Sequence, residues 1–273
     1  MKQIETLVFD YGGVIVNIDD ASVVKAMESL GVTAFKRLIH VRKIKRLMHQ
    51  YINGLVAEAE TLQEMLSLCR KGTSTEDIEK VLEELCGNLP VERLKALVKL
   101  RKRYKVYLLS NINDTLWQKS VSQMNQLGYS TDELFDEVFL SYAMRKEKPS
   151  VEIYEEMTQQ TGLNPATTLY FDDRSENAEA GKRFGFQSVL VKTNHLEEHQ
   201  EWQELNKNIK ELSYAHNRKL TLVALRRSQS CYLLFHRKYS SCMYSHRHSF
   251  CNADIQDWSA LPMAFWFYCK RIE

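Results

Sequence analysis

No apolar run in this 273-residue chain approaches the roughly 18–20 residues that a membrane-spanning helix requires. The N-terminus also lacks the pattern of a secretory signal, because Glu5 and Asp10 interrupt its apolar stretch and no small-residue cleavage site follows. Both absences point to a cytoplasmic protein. Cysteine is scarce through residue 213, where only Cys69 and Cys86 occur. Two well-separated thiols read as small buried hydrophobes and exclude a disulfide framework. Strong net charge is missing too: the chain totals +2, divided into −4 for residues 1–213 and +6 for residues 214–273. The body and the tail therefore need separate accounts.

The body alternates two textures. Short β-rich runs are Leu7–Phe9 with Val14–Val16, Val106–Leu109, Val138–Leu140, Thr168–Phe171 and Ser188–Val191. Between most of them lie segments of 3.6-residue periodicity with recognisable ends. Pro90 opens one running to about Arg103, and Gly128 stops one that begins near Asp114. Ser150 stands at the N-cap position before Val151–Gln160, and Gly185 closes Glu176–Phe184. Strands alternating with helices predict an α/β fold, a Rossmann-like parallel sheet with helices on both faces.

Residues 20–88 break this rhythm. They hold no convincing strand but four helical stretches, Ala21–Leu30, Ala34–Tyr51, Glu58–Arg70 and Glu76–Cys86. An insert that springs from the residues after Asp10 reads as a cap over the sheet's carboxyl edge; the plainer alternative is a helical decoration packed sideways. It carries a basic run, Lys36, Arg37, Arg42, Lys43, Lys45 and Arg46, on the opposite side from Leu38, Val41, Ile44, Leu47 and Met48. That spacing suits the wet face of an amphipathic helix; the sharper reading has one or two cations attracting an anionic substrate. The expected organisation is a core of residues 1–19 and 89–212, a helical cap of 20–88, and an extension of 213–273.

Four segments carry chemistry. Asp10 ends an apolar run and is followed by Tyr11-Gly12-Gly13-Val14, which puts a carboxylate at the sheet edge where ligands of open α/β sheets collect. Ser110-Asn111 ends the second strand, with a hydroxyl and an amide able to hold a phosphate oxygen or to serve as turn chemistry. Lys148, just before Pro149 and a helix start, can set a cation beside a bound anion. Asp172-Asp173 ends a later strand, and two adjacent carboxylates repel unless a cation is present. Asn177, about one helical turn on, can orient that pair. Hard oxygen ligands of this kind suit Mg²⁺, while the plainer reading is a helix-start pair stabilised by the helix dipole.

In order and spacing, Asp10-Tyr11-Gly12-Gly13-Val14, Ser110-Asn111, Lys148-Pro149 and Asp172-Asp173 with Asn177 resemble the motifs of the haloacid dehalogenase-like superfamily over roughly residues 4–195. The branch resembled is that of small capped phosphatases, near the glucose-1-phosphate phosphatase type and the phosphatase domain of soluble epoxide hydrolases. The resemblance implies a Mg²⁺-dependent phosphatase of a small phosphorylated metabolite, with a sugar phosphate favoured. Asp10 would be the nucleophile that forms an aspartyl-phosphate, and Lys148 would assist it. Ser110, Asn111 and Lys148 would hold the phosphoryl group. Asp10, the Gly12 carbonyl and Asp173 would ligate the metal, with Asp172 and Asn177 in support.

One family feature is missing. Most members carry a second aspartate two residues after the nucleophile, and here that position is Gly12. A positioned general acid contributes roughly 10²–10⁴ in rate, so its absence predicts a preference for substrates with good leaving groups. His49 and Tyr51 in the insert are candidate replacements. It also gives weight to an alternative, a catalytically weak relative that binds a phosphorylated ligand or a partner protein.

The tail fits no part of the resemblance. Its Cys231, Cys242, Cys251 and Cys269, with His216, His236, His246 and His248, lack the short paired spacings of structural zinc sites. Poor periodicity and frequent serine predict a poorly ordered basic extension, with neither a membrane nor nucleic acid expected as a partner.

Overall fold

Strand β1 (Thr6–Phe9) runs through the middle of a wholly parallel sheet in a computed structural model of the chain, which describes residues 4–85 and 87–208. Around it lie β2 (Lys105–Ser110), β3 (Glu137–Leu140), β4 (Thr168–Asp172) and β5 (Gln187–Leu190), in the spatial order β3-β2-β1-β4-β5. Alternation along the strands explains why both faces are covered. Leu7, Phe9, Val106, Leu108, Leu169 and Phe171 enter one apolar cluster, while Val8, Tyr107, Leu109 and Tyr170 enter another. Parallel strands buried on both faces read as near-continuous apolar runs, as these do.

The helices follow the predicted plan. The insert holds α1 (Asp20–Ser29), α2 (Ala34–Ile39), α3 (Val41–Asn53), α4 (Glu58–Leu66) and α5 (Thr75–Leu82). Outside it lie α6 (Val91–Leu100), α7 (Asp114–Gln126), α8 (Thr131–Leu134), α9 (Ser141–Met144), α10 (Val151–Thr161) and α11 (Ser175–Phe184), with further helix over 200–208. Side chains cap several starts: Asn113 Oδ1 accepts from the Leu116 N–H at 2.8 Å, and Ser74 with Asp77 forms a reciprocal capping box. No described helix is long and apolar enough to cross a membrane.

Three local expectations change. Val14–Val16 is not a strand: the Ile15 and Val16 N–H groups both donate to the Tyr11 carbonyl at 2.9 Å, which coils the segment into a turn closed by a Gly12–Val16 bridge. The helix expected over Ala34–Tyr51 is two helices that meet at His40; α2 buries none of its residues, so packing does not hold it in line with α3. Ser150 occupies the N-cap position of α10 but makes no capping bond. The expected extension of 213–273, with its four cysteines, lies outside the described residues, as does Cys86.

Candidate active site

Strand register sets the site. Phe9 pairs with Phe171 across β1 and β4, so Asp10 and Asp172 lie side by side where the strands end. Ser110 closes β2 on the other flank of β1, and Lys148 lies two residues before the Ser150 cap of α10. All four are buried.

Lys148 joins them. Its ammonium has three N–H donors and finds three oxygens: Asp172 Oδ2 at 2.7 Å, the Leu109 carbonyl at 2.8 Å and Asp10 Oδ1 at 2.9 Å. Burial disfavours the charged ammonium, but Asp10 and Asp172 outweigh it and hold its pKa above the ordinary lysine value. Asn111 accepts from the Lys148 N–H through Oδ1 and donates to the Lys148 carbonyl through Nδ2, both at 2.9 Å. Its side chain is therefore a clamp on the Lys148 backbone, a use the turn reading of Ser-Asn does not suggest.

The carboxylates differ in how they are satisfied. Asp172 accepts from Lys148 and the Tyr170 hydroxyl at Oδ2, from the Arg174 N–H at Oδ1 (2.9 Å), and from Asn177 Nδ2 at both oxygens, 3.1 and 3.2 Å. Such a set of donors fixes its orientation. Asp10 Oδ1 takes the Tyr11 N–H at 2.7 Å as well as Lys148, and Asp173 Oδ2 takes the Thr193 hydroxyl at 2.8 Å. One oxygen from each of Asp10, Asp172 and Asp173 lies within 4.8 Å of the others. A single ammonium does not neutralise three carboxylates. Burial pushes the Asp10 carboxyl up to about 7, with the charges of Asp172 and Asp173 adding to the rise against the pull of Lys148. Burial likewise raises Asp173, and Asp172 adds to it. Hard oxygens crowded at this spacing fit a divalent cation such as Mg²⁺.

The turn after β1 is shaped by its glycines. Gly13 has a φ of +71°, which L side chains rarely adopt, and lies directly beside Asp173. Gly12 has ordinary backbone and room; the nearest heavy atom to an added Cβ would be Ile18 Cγ2 at 3.7 Å.

The insert meets this edge through the turn between α3 and α4. Asn53 Nδ2 donates to Glu147, the residue before Lys148, and the Asn53 carbonyl accepts from Ser141 Oγ at 2.7 Å. Glu58 accepts from Asn113 and from Thr115 Oγ1. His49 lies against Glu147 (Nε2 to Oε2 3.2 Å), and Tyr51 is buried in the larger core cluster. The basic run is turned largely onto the insert itself: Lys36 donates to the Leu68 carbonyl, Lys43 to Ser67, Arg37 pairs with Glu28 and Arg46 with Glu64. Four of its six cations thus follow the reading of a helix face and its neighbours.

Several neighbours of the cluster escape a motif reading: Tyr170 beneath Asp172, Thr193 on Asp173, Asn194 on the turn after β1, and Arg93. Only Arg93 left a trace in the sequence. It shares a helical stripe with Leu97 and Leu100, at i+4 and i+7, where an apolar residue is expected.

Known proteins give a consistent picture. A family model described as haloacid dehalogenase-like hydrolase matches residues 4–185. D-Ribitol-5-phosphate phosphatase from Bacteroides thetaiotaomicron is 29% identical over 186 residues, covering 68% of this chain and 90% of the relative. A HAD family enzyme from the same organism, solved with magnesium and inorganic phosphate, superposes with a TM-score of 0.63 at 27% identity, over 70% of this chain and 96% of the other. A predicted HAD-like hydrolase from Porphyromonas gingivalis does so with a TM-score of 0.61 at 25% identity, over 71% and 93%.

Proposed function

The chain belongs to the haloacid dehalogenase-like hydrolases, and from that premise we propose that it is a Mg²⁺-dependent phosphatase acting on a small phosphorylated metabolite. A sugar or sugar-alcohol phosphate is the favoured class, by similarity to the D-ribitol-5-phosphate phosphatase. The observation that carries the reading is the buried Lys148 ammonium, which bridges Asp10 and Asp172 beside Asp173.

Asp10 is the nucleophile in this reading. Its carboxylate attacks phosphorus while the bond to the substrate oxygen breaks, giving an aspartyl-phosphate; water then cleaves that acyl phosphate, releases inorganic phosphate and restores Asp10. Phosphoryl transfer depends chiefly on positioning and charge neutralisation. Ser110 holds a phosphoryl oxygen, Lys148 faces the phosphoryl group as a fixed positive charge, and Asn111 fixes the Lys148 backbone from which that ammonium projects. Asp10, the Gly12 carbonyl and Asp173 hold Mg²⁺, while Asp172, oriented by Asn177 and Tyr170, keeps Lys148 in place. The bound cation supplies the neutralising charge that lets a carboxylate approach a phosphate dianion. Helices α1–α5 form the cap over a core of residues 1–19 and 89–212, and the polar contacts of Asn53 and Glu58 seat it on the loops after β2 and β3.

Gly12 favours one competing reading, retention of a phosphorylated ligand with little turnover. A single experiment separates the two. The full chain is incubated with a panel of phosphorylated metabolites, with and without Mg²⁺, alongside Asp10→Asn. Phosphate release that needs Mg²⁺ and vanishes in Asp10→Asn is expected; ligand binding without release would favour the competitor, and release that survives the substitution would sink the mechanism.

A further inference from the structure

Arg93, in the first turn of α6, is only 2% exposed although its charge is permanent. Removing a guanidinium from water is costly unless its donors all find acceptors. Here they do. Nε donates to Glu197 Oε1 at 2.6 Å, and one terminal nitrogen donates to Glu197 Oε2 and the Asn194 carbonyl, each at 2.9 Å. The other terminal nitrogen donates to the Val14 and Ile15 carbonyls at 2.9 and 3.2 Å and to Asn17 Oδ1 at 2.9 Å. An apolar side chain of similar size would fill the space without the desolvation cost. What the guanidinium adds is direction, because it draws acceptors from two separate loops onto one planar group.

Those two loops shape the carboxylate cluster. The turn after β1 carries Gly12 and Gly13, and the segment after β5 carries Thr193, which donates to Asp173. Asn194 fastens one to the other: its N–H donates to the Gly13 carbonyl at 2.7 Å, and its side chain exchanges bonds with both backbone groups of Ile18 at 2.8 and 2.9 Å. Arg93 grips this joint from behind, on the Asn194 carbonyl and on the turn.

We propose that Arg93 is a positioning residue for the divalent-cation site, holding the Gly12 carbonyl and Asp173 at the separation the cation requires through the Asn194–Gly13 joint. The proposal rests on the reading of Asp10, Gly12 and Asp173 as cation ligands. Arg93 touches neither cation nor substrate. A residue that merely plugs the core would lower thermal stability and leave cation affinity alone; a positioning residue moves the affinity of protein that is still folded. Substitutions behind metal ligands commonly weaken binding by about 10–100-fold.

The test measures Mn²⁺ binding to the full-length chain by the paramagnetic resonance signal of the free ion, with circular dichroism and thermal melting on every variant. Folded Arg93→Lys, which keeps the charge but loses the planar fork, is expected to bind Mn²⁺ about tenfold more weakly. Asn194→Ala, which removes the two side-chain bonds to Ile18 that brace the joint and leaves the Arg93 guanidinium in place, is expected to weaken binding at least about threefold. Wild-type affinity in folded Arg93→Lys overturns the proposal; if that variant does not fold, wild-type affinity in Asn194→Ala overturns it instead. Asp173→Asn tells the two layers apart. Undiminished Mn²⁺ binding there sinks the cation-site reading together with the proposal, whereas weakened binding there beside wild-type affinity in Arg93→Lys sinks the proposal alone.

Discussion

A Cβ added to Gly13 would stand 2.2 Å from Asp173 Oδ2 and 2.8 Å from its Cγ. Gly13→Ala therefore displaces the Asp173 carboxylate, and the positive φ adds about 1–2 kcal/mol of backbone strain. The expected outcome is a modest loss in melting temperature with a disproportionate loss of Mg²⁺ dependence, read by thermal melting and by activity against Mg²⁺ concentration. Unchanged Mg²⁺ dependence would show that Asp173 does not need its present place.

Lys148 stabilises two carboxylates at once. Lys148→Met leaves Asp10 and Asp172 buried beside each other without their shared cation, and breaking a buried pair costs about 3–5 kcal/mol. Chemical denaturation should show a loss of that order, together with loss of phosphate release. The double substitution Lys148→Met with Asp172→Asn removes one of the stranded charges and should recover part of the stability but none of the activity. A double variant no more stable than the single one would contradict the account of repulsion.

Most of this site is legible in the chain because its parts end strands. Asp10, Ser110 and Asp172 follow runs whose composition leaves little choice but a buried strand, so their place at one edge follows once the sheet is parallel. Arg93 and Asn194 are hidden for the opposite reason. Both act largely on backbone carbonyls and N–H groups, which carry no signature in side-chain composition, and each reaches partners about 80 to 180 positions away. The stripe that Arg93 shares with Leu97 and Leu100 marks a buried position without saying what it binds. The break at His40 was illegible as well, since no proline or glycine marks it; the cause is an α2 with nothing buried.

The raised carboxyl of Asp10 gives a pH dependence with a definite sign. Its pKa is about 7 in the folded chain against 3.8 for an ordinary aspartate, so between these values the folded state holds more protons than the unfolded state. Stability of the cation-free protein then falls as pH rises from about 4 to about 7. On the proposed ligation by Asp10, cation binding needs the ionised carboxylate and releases the proton, so Mg²⁺ should bind more weakly at pH 6 than at pH 8. Melting curves in EDTA across this range, with Asp10→Asn subtracted, should slope downward, and saturating Mg²⁺ should flatten them. An upward slope in EDTA would refute the assignment.

Gly12 has space for a side chain, and its backbone is not left-handed. Gly12→Asp should therefore fold, and it supplies a proton donor to the leaving oxygen. In the wild type, turnover of aryl phosphates should fall steeply as the leaving-group pKa rises. The substitution should flatten that dependence and raise turnover of the poorest leaving groups by about a hundredfold or more, within the 10²–10⁴ typical of general acids. Equal slopes in both proteins, with chemistry rate-limiting, would count against the missing-acid hypothesis.

Because Phe9 is paired with Phe171, the gap between the Asp10 and Asp172 backbones is an interstrand spacing, about 4.8 Å, fixed by main-chain bonding and not by any loop. Side chains and insertions around the rim are free to diverge while that interval stays constant. The spacing of the two carboxylates thus belongs to the sheet, and retailoring the rim leaves it in tune.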